Sequence, residues 1–239
     1  MRLPAEFEPA LLRAVLWDMD GTLVDTEPYW IVAEHELVES FGGTWSHEQA
    51  MRLVGQALPT SAGILQEAGV ALEKREIIDT LTARVIEQLG EGVPWRPSAR
   101  ELVMALTDSG IDCALVTMSE RPMVERVLDH LPAGTFRAVV TGDAVRHGKP
   151  HPEPYLKGLA LLGAHLQGLA PSECVAIEDS EPGATAAEAA GLATIVVPNA
   201  LAIPVGLGAE HWDTLSGRTV EDVSNTLARA ADLAGQRHA

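Results

Sequence analysis

AVLWDMDGTLVDT, residues 14–26, sets three aspartates directly behind a short apolar run. The run itself, AVLW at 14–17, is apolar on both alternating faces, the pattern of a strand buried on each side of a parallel sheet. Asp18 and Asp20 stand two apart, so in a chain still extended as it leaves the strand their side chains project to one side and form one site. Gly21 then permits the sharp turn that a Cβ resists. Taken alone, a solvated Asp-Gly turn accounts for this pattern better than a site does, and only the rest of the chain reverses that preference.

Four further runs repeat the β signature: CALVT at 113–117, AVVT at 138–141, CVAIE at 174–178 and TIVV at 194–197. Helical segments separate them. Ser98 with Glu101 has capping-box spacing and opens a helix through Leu106, Pro122 suits the first turn of the next, and Gly191 reads as a C-cap. A last helix over 219–233 shows an ordinary docking face of Val220, Val223, Leu227, Ala230 and Ala231. Strands alternating with helices predict an α/β fold, a doubly wound parallel sheet with its ligand site at the carboxyl ends of the strands. The first two strands are separated by about ninety residues, far more than one crossover helix needs. Amphipathic stretches fill the interval at 28–41, 47–57, 60–68 and 74–90, before GVPWRPS at 92–98 marks a linker. The expectation is an α/β core of residues 1–25 and 97–239 with an inserted helical cap at 26–96, hinged near Asp25–Pro28 and Gly92–Pro97.

The chain of 239 residues is 46% hydrophobic, enough to bury a full core and a satellite lobe. Its formal net charge of −17 excludes nucleic acid and anionic membrane surfaces as partners. A small anionic substrate therefore requires local positive charge. Cys113 and Cys174 sit in apolar strands as small hydrophobes, and two cysteines do not make a disulfide framework. No run approaches the ~18 apolar residues that span a bilayer. Glu6 and Glu8 interrupt the opening residues where a secretory signal needs an apolar core, so a cytoplasmic protein is expected.

Nearly every strand delivers polar groups to one crevice. CALVT ends in Thr117, Met118 and Ser119, offering a hydroxyl and backbone N–H groups before a helix, an arrangement that receives an oxyanion. CVAIE ends in Glu178, Asp179 and Ser180. Between them HGKPHPEP, 147–154, presents Lys149 on a proline-stiffened loop. His147 and His151 flank it without a third softer ligand and are read as loop residues. Asp18, Glu178 and Asp179 bring three negative charges, which one divalent cation plus Lys149 balances. Hard oxygen ligands with few dedicated protein contacts suit Mg²⁺.

DMDGTLVDT, VTMS, GKPHPEPY and IEDSEPG, in that order and spacing, resemble the four signature motifs of the haloacid dehalogenase superfamily, specifically its Mg²⁺-dependent phosphatases and phosphomutases with a helical cap. The resemblance implies that Asp18 is the nucleophile that accepts the phosphoryl group and that Asp20 protonates the leaving alcohol and then deprotonates water. It implies that Thr117 and the Met118 N–H hold the phosphoryl oxygens with Lys149, and that Asp18, Asp179 and the Asp20 main-chain carbonyl ligate Mg²⁺. Glu178 and Ser119 support the site from behind. Dehalogenases lack an acid at the position of Asp20, since a departing halide needs no proton.

The β-phosphoglucomutases of this superfamily use a histidine where Trp30 stands and a cap arginine where this chain reads Gly55-Gln56-Ala57-Leu58. DMDGTLVDTEPYW is more similar to the sugar-phosphate phosphatases. Glu27 and Trp30 then meet a polyol at the closing face of the cap, or, equally, serve only to start and pack a helix. The implied partner is a small phosphorylated metabolite. A mutase is the alternative, a non-catalytic binding module a more distant one, and the sequence is compatible with both monomer and homodimer.

Overall fold

The computed structural model describes residues 11–236, with side chains as far as 230. Glu6 and Glu8, on which the absence of a secretory signal was argued, lie outside the described residues, as does the side chain of Ala231.

Six parallel strands form one sheet: β1 (Ala14–Trp17), β2 (Asp112–Val116), β3 (Ala138–Val140), β4 (Cys174–Glu178), β5 (Ala193–Val196) and β6 (Glu210–His211), in the order β3-β2-β1-β4-β5-β6. The first five match the apolar runs to within a residue. The sixth is a half-exposed polar pair at the sheet edge, which leaves no apolar run to read. The chain winds away from β1 in both directions, so the topological switch point lies beside β1, where ligands bind in sheets of this type. Trp17 pairs with Leu115 on β2 and Ile177 on β4, which brings Asp18, the Thr117 turn and the Glu178-Asp179 pair out at the same edge.

Helices α5 (Ala99–Asp108), α6 (Arg121–Leu128), α7 (Glu153–Gly163), α8 (Glu181–Ala189) and α9 (Val220–Gln236) cover the sheet. Alternate strand residues serve the two faces. Val15, Trp17, Leu115, Val175 and Ile177 pack with Leu102 and Leu106 of α5 and with Val223 and Leu227 of α9. Ala14, Leu16, Ala114, Val116 and Ala176 pack with Tyr155 and Leu162 of α7 and with Ala186 and Ala187 of α8.

Between β1 and α5 lie α1 (Glu27–Ser40), α2 (His47–Met51), α3 (Leu58–Glu67) and α4 (Lys74–Leu89). Their buried Leu37, Leu65, Ile77, Leu81 and Val85 are continuous with the Trp17 face of the sheet. α2 is shorter than the amphipathic stretch 47–57, because the chain turns at Gly55 (φ +75°) to start α3 at Leu58-Pro59. Ser46 and Gln49 close a capping box on α2. The capping box expected of Ser98 and Glu101 does not form. Ser98 sits at φ +60°, in the left-handed region, and its side chain makes no capping hydrogen bond; a capping residue needs extended backbone to bring its oxygen over the first turn. Pro122 and Gly191 do occupy a first turn and a C-terminal turn.

The two connections between the sheet and helices α1–α4 run side by side: the Asp25 N–H donates to the Pro94 carbonyl at 2.7 Å and the Arg96 N–H to the Leu23 carbonyl at 3.0 Å. Both cysteines are buried and unpaired. Among the described residues no helix is long and apolar enough to cross a membrane.

Candidate active site

Beyond β1 the chain turns back on itself, with the N–H groups of Leu23 and Val24 both donating to the Met19 carbonyl at 2.9 and 3.0 Å. Gly21 makes this possible. It adopts φ +85°, and a Cβ there would lie 2.1 Å from Asp179 Oδ2, so both the turn and the approach of Asp179 exclude a side chain. The result places Asp18, Asp20 and Asp179 on one cavity with Thr117, Met118, Ser119 and Lys149. The sequence motifs from four separate strand ends therefore meet.

Lys149 is the centre of charge. Its Nζ donates to Asp18 Oδ1 at 2.6 Å, to Glu178 Oε1 at 2.6 Å and to the Val116 carbonyl at 2.9 Å, so all three ammonium N–H groups are engaged and the side chain is a fixed, buried cation. Burial by itself lowers its pKa, but Asp18 and Glu178 outweigh it and hold the group firmly protonated. Glu178 is fully buried: Oε1 also accepts from the Tyr155 hydroxyl at 2.6 Å, while Oε2 accepts from the Asp179 N–H and the Ser180 hydroxyl, each at 3.2 Å. With both oxygens occupied it braces Lys149. Gly183 admits that carboxylate to the start of α8, since a Cβ there would fall about 2.0 Å from it.

Asp18 differs. Its Oδ2 is buried without any hydrogen-bond partner. Burial first, then repulsion from Glu178, raises the Asp18 carboxyl to about 8, with Lys149 opposing. Asp179 is pushed up for the same reasons, burial and then the charges of Asp18 and Glu178. One oxygen from each of Asp18, Glu178 and Asp179 thus lies within 4.8 Å of the others, and the single ammonium pairs with Asp18 and Glu178. Surplus negative charge on a set of hard oxygen donors fits a hard divalent cation, with Asp18 and Asp179 the carboxylates at the cavity able to reach it.

Asp20 is held by a separate set of donors. Oδ1 accepts from the Thr26 hydroxyl at 2.6 Å and Trp30 Nε1 at 3.4 Å; Oδ2 accepts from the Ser119 hydroxyl at 2.7 Å and the Thr117 hydroxyl at 3.1 Å. Thr117 is thereby turned toward Asp20, and its oxygen also receives the Ser119 N–H at 2.9 Å. Its own N–H pairs with Val140. Of the backbone N–H groups after β2 expected to meet an oxyanion, that of Met118 alone makes no hydrogen bond among the described residues.

Glu27 and Trp30 both line the cavity. Glu27 is tied to the core by Asn199, which also donates to Asp25 at 3.0 Å, and burial followed by repulsion from Asp25 and Asp20 raises its carboxyl to about 7. His147 and His151 lie at the surface with Glu153, whose oxygens are taken by the N–H groups of Arg146 and His147 and by the His147 ring. Sequence reasoning passed over Tyr155, though it ends the GKPHPEPY stretch, and Asn199, whose partners lie far away in the chain. It also passed over Glu34, a buried acid on α1 that faces the cavity.

The chain is similar in sequence to two named phosphatases and in fold to a solved structure. Hexitol phosphatase B of Escherichia coli K12 is 32% identical over 201 residues, covering 80% of this chain and 85% of its own. The phosphorylated carbohydrates phosphatase of Thermotoga maritima is 33% identical over 189 residues, covering 77% and 84%. The crystal structure of CbbY from Rhodobacter sphaeroides in complex with phosphate superposes with a TM-score of 0.78 at 26% identity, covering 89% of this chain and 99% of that one. A profile of haloacid dehalogenase-like hydrolases matches residues 15–197, from the start of β1 to the end of β5 and through every element that carries the cavity's acids and its lysine. On that match and those relatives, the chain belongs to the haloacid dehalogenase-like hydrolase family.

Proposed function

We propose that this protein is a Mg²⁺-dependent phosphatase that hydrolyses the phosphate monoester of a sugar or polyol through an aspartyl-phosphate on Asp18. The observation that carries the proposal is the asymmetry of Asp18: one oxygen is clamped by Lys149 at 2.6 Å, the other is buried and unpaired at the cavity. A carboxylate held in one orientation, with an oxygen free of solvent and of donors, is a preorganised nucleophile. The named activities of the bacterial relatives, on hexitol phosphates and phosphorylated carbohydrates, support the substrate class.

In this reading the Asp18 carboxylate attacks phosphorus and the bond to the sugar oxygen breaks. Asp20 gives that oxygen its proton, then takes one from the water that attacks the aspartyl-phosphate, which frees phosphate and restores Asp18. The four donors around Asp20 keep it at the cavity and orient it for both transfers. The Met118 N–H and the Thr117 hydroxyl, once turned from Asp20, receive the phosphoryl oxygens, and Lys149 neutralises charge on the nucleophile. Asp18, Asp179 and the Asp20 carbonyl would hold Mg²⁺, whose charge would let a phosphate approach three carboxylates. Residues 26–96 act as a cap whose paired connections, at Asp25–Pro28 and Gly92–Pro97, are the hinges. We read the activity as cytoplasmic, where a small phosphorylated metabolite, too polar to cross a bilayer unaided, is retained.

A mutase has to hold a second phosphate, and Lys149 is the one basic side chain among the described residues that line the cavity. Hydrolysis is the better fit. Phosphate release from a panel of sugar and polyol phosphates is expected to require Mg²⁺, to stop on chelation, and to vanish in Asp18→Asn. Release that persists in Asp18→Asn overturns the mechanism.

A further inference from the structure

Helix α1 contributes an acid that the chemistry above does not use. Glu34 is 5% exposed and lines the cavity that holds Asp18, Asp20 and Lys149. Trp45 Nε1 donates to its Oε2 at 3.2 Å. Its Oε1 makes no hydrogen bond, and no cation pairs with it, among the described residues. The cavity lining on residues 31–81 includes apolar Ile31, Leu53, Leu58 and Leu81 beside polar Gln56 and Ser61. A largely buried carboxyl with one oxygen held by the protein and the other open to the cavity is placed to exchange cavity water for a donor on a bound molecule. A second phosphate is excluded by like charge. An O–H group fits: it donates to the open oxygen without bringing a charge that would need desolvation of its own.

We propose that Glu34 is a specificity-determining residue, accepting a hydroxyl of the substrate's polyol chain at the end of the cavity away from the phosphate. Trp45 is its positioning residue, holding the carboxyl by one oxygen so that the other is presented. This inference rests on the phosphatase reading and deepens it, from any phosphate monoester to one with a hydroxylated, uncharged far end.

The test compares sorbitol 6-phosphate with n-hexyl phosphate, of like length without hydroxyls, and 6-aminohexyl phosphate, in wild type, Glu34→Gln and Glu34→Leu. The readout is the ratio of kcat/KM between substrates, which cancels any loss of folded enzyme. Wild type is expected to prefer sorbitol 6-phosphate, and Glu34→Leu to shrink that preference roughly 10- to 100-fold, the worth of one hydrogen bond to a charged acceptor. Glu34→Gln, which keeps an acceptor oxygen, is expected to retain most of it. An unchanged preference in Glu34→Leu overturns the inference, as does finding that the aminohexyl ester is the substrate the variant loses. Wild type that hydrolyses all three without preference also overturns it while leaving the phosphatase reading intact; release from none of them overturns both.

Discussion

Replacing Glu34 by Gln tests, independently of any substrate, whether the cavity really desolvates that carboxyl. Burial raises its pKa from 4.5 to about 7, against a smaller opposing effect of the Trp45 hydrogen bond. The folded protein therefore binds this proton more tightly than the unfolded chain does. Between pH 4.5 and 7 the native state keeps a proton that the unfolded state has released, so stability falls as pH rises through that window. A difference of this size integrates to about 3 kcal/mol above pH 7, of which less than about 1 kcal/mol has accrued at pH 5. Gln keeps the shape and an oxygen for Trp45 but carries no titrating group. Urea unfolding of both proteins at pH 5 and pH 8 is expected to show Glu34→Gln gaining about 2 to 3 kcal/mol relative to wild type over that interval, since every other titrating group is common to both. A constant offset between the two proteins would mean that Glu34 is solvated, and the reasoning that makes it a buried recognition group would fail.

Two more perturbations address the brace behind the nucleophile and the turn in front of it. Tyr155→Phe removes the hydroxyl that donates to Glu178 Oε1 at 2.6 Å in a fully buried setting, and should cost about 2 kcal/mol in chemical denaturation; a variant as stable as wild type would show that Glu178 does not depend on Tyr155. Gly21→Ala puts a Cβ 2.1 Å from Asp179 Oδ2 at a φ of +85°, so Mg²⁺-dependent phosphate release should drop by roughly 100-fold as Asp179 is displaced, and undiminished release would refute the tight approach of Asp179 to the turn.

The strands β1 to β5 were legible because burial on both faces of a parallel sheet imposes a local, continuous apolar run on each. Asp18, Asp20, Lys149 and Asp179 were legible because each stands at the end of such a run or on a proline-bound loop beside it, and a parallel sheet must bring those ends to one edge. Charge counting called for positive charge among the acids, and Lys149 supplies one such charge, paired with Asp18 and Glu178. Ser98 was misread because capping depends on backbone torsion, which residue identity alone does not set. β6 was passed over because an edge pair with one neighbour needs no apolar run. The Thr117 hydroxyl, expected to face a phosphate, instead donates to Asp20 across 97 positions of sequence. Tyr155 meets Glu178 only where α7 crosses under the sheet. In EPYWIVAEHELVES, Glu34 is one of four glutamates on a helix, and nothing local separates it from solvated Glu36 or Glu39. Only packing of α1 against α2 and α4 buries Glu34 and places it on the cavity while Glu36 and Glu39 stay in water, because desolvation is a property of what surrounds a group and not of the group itself.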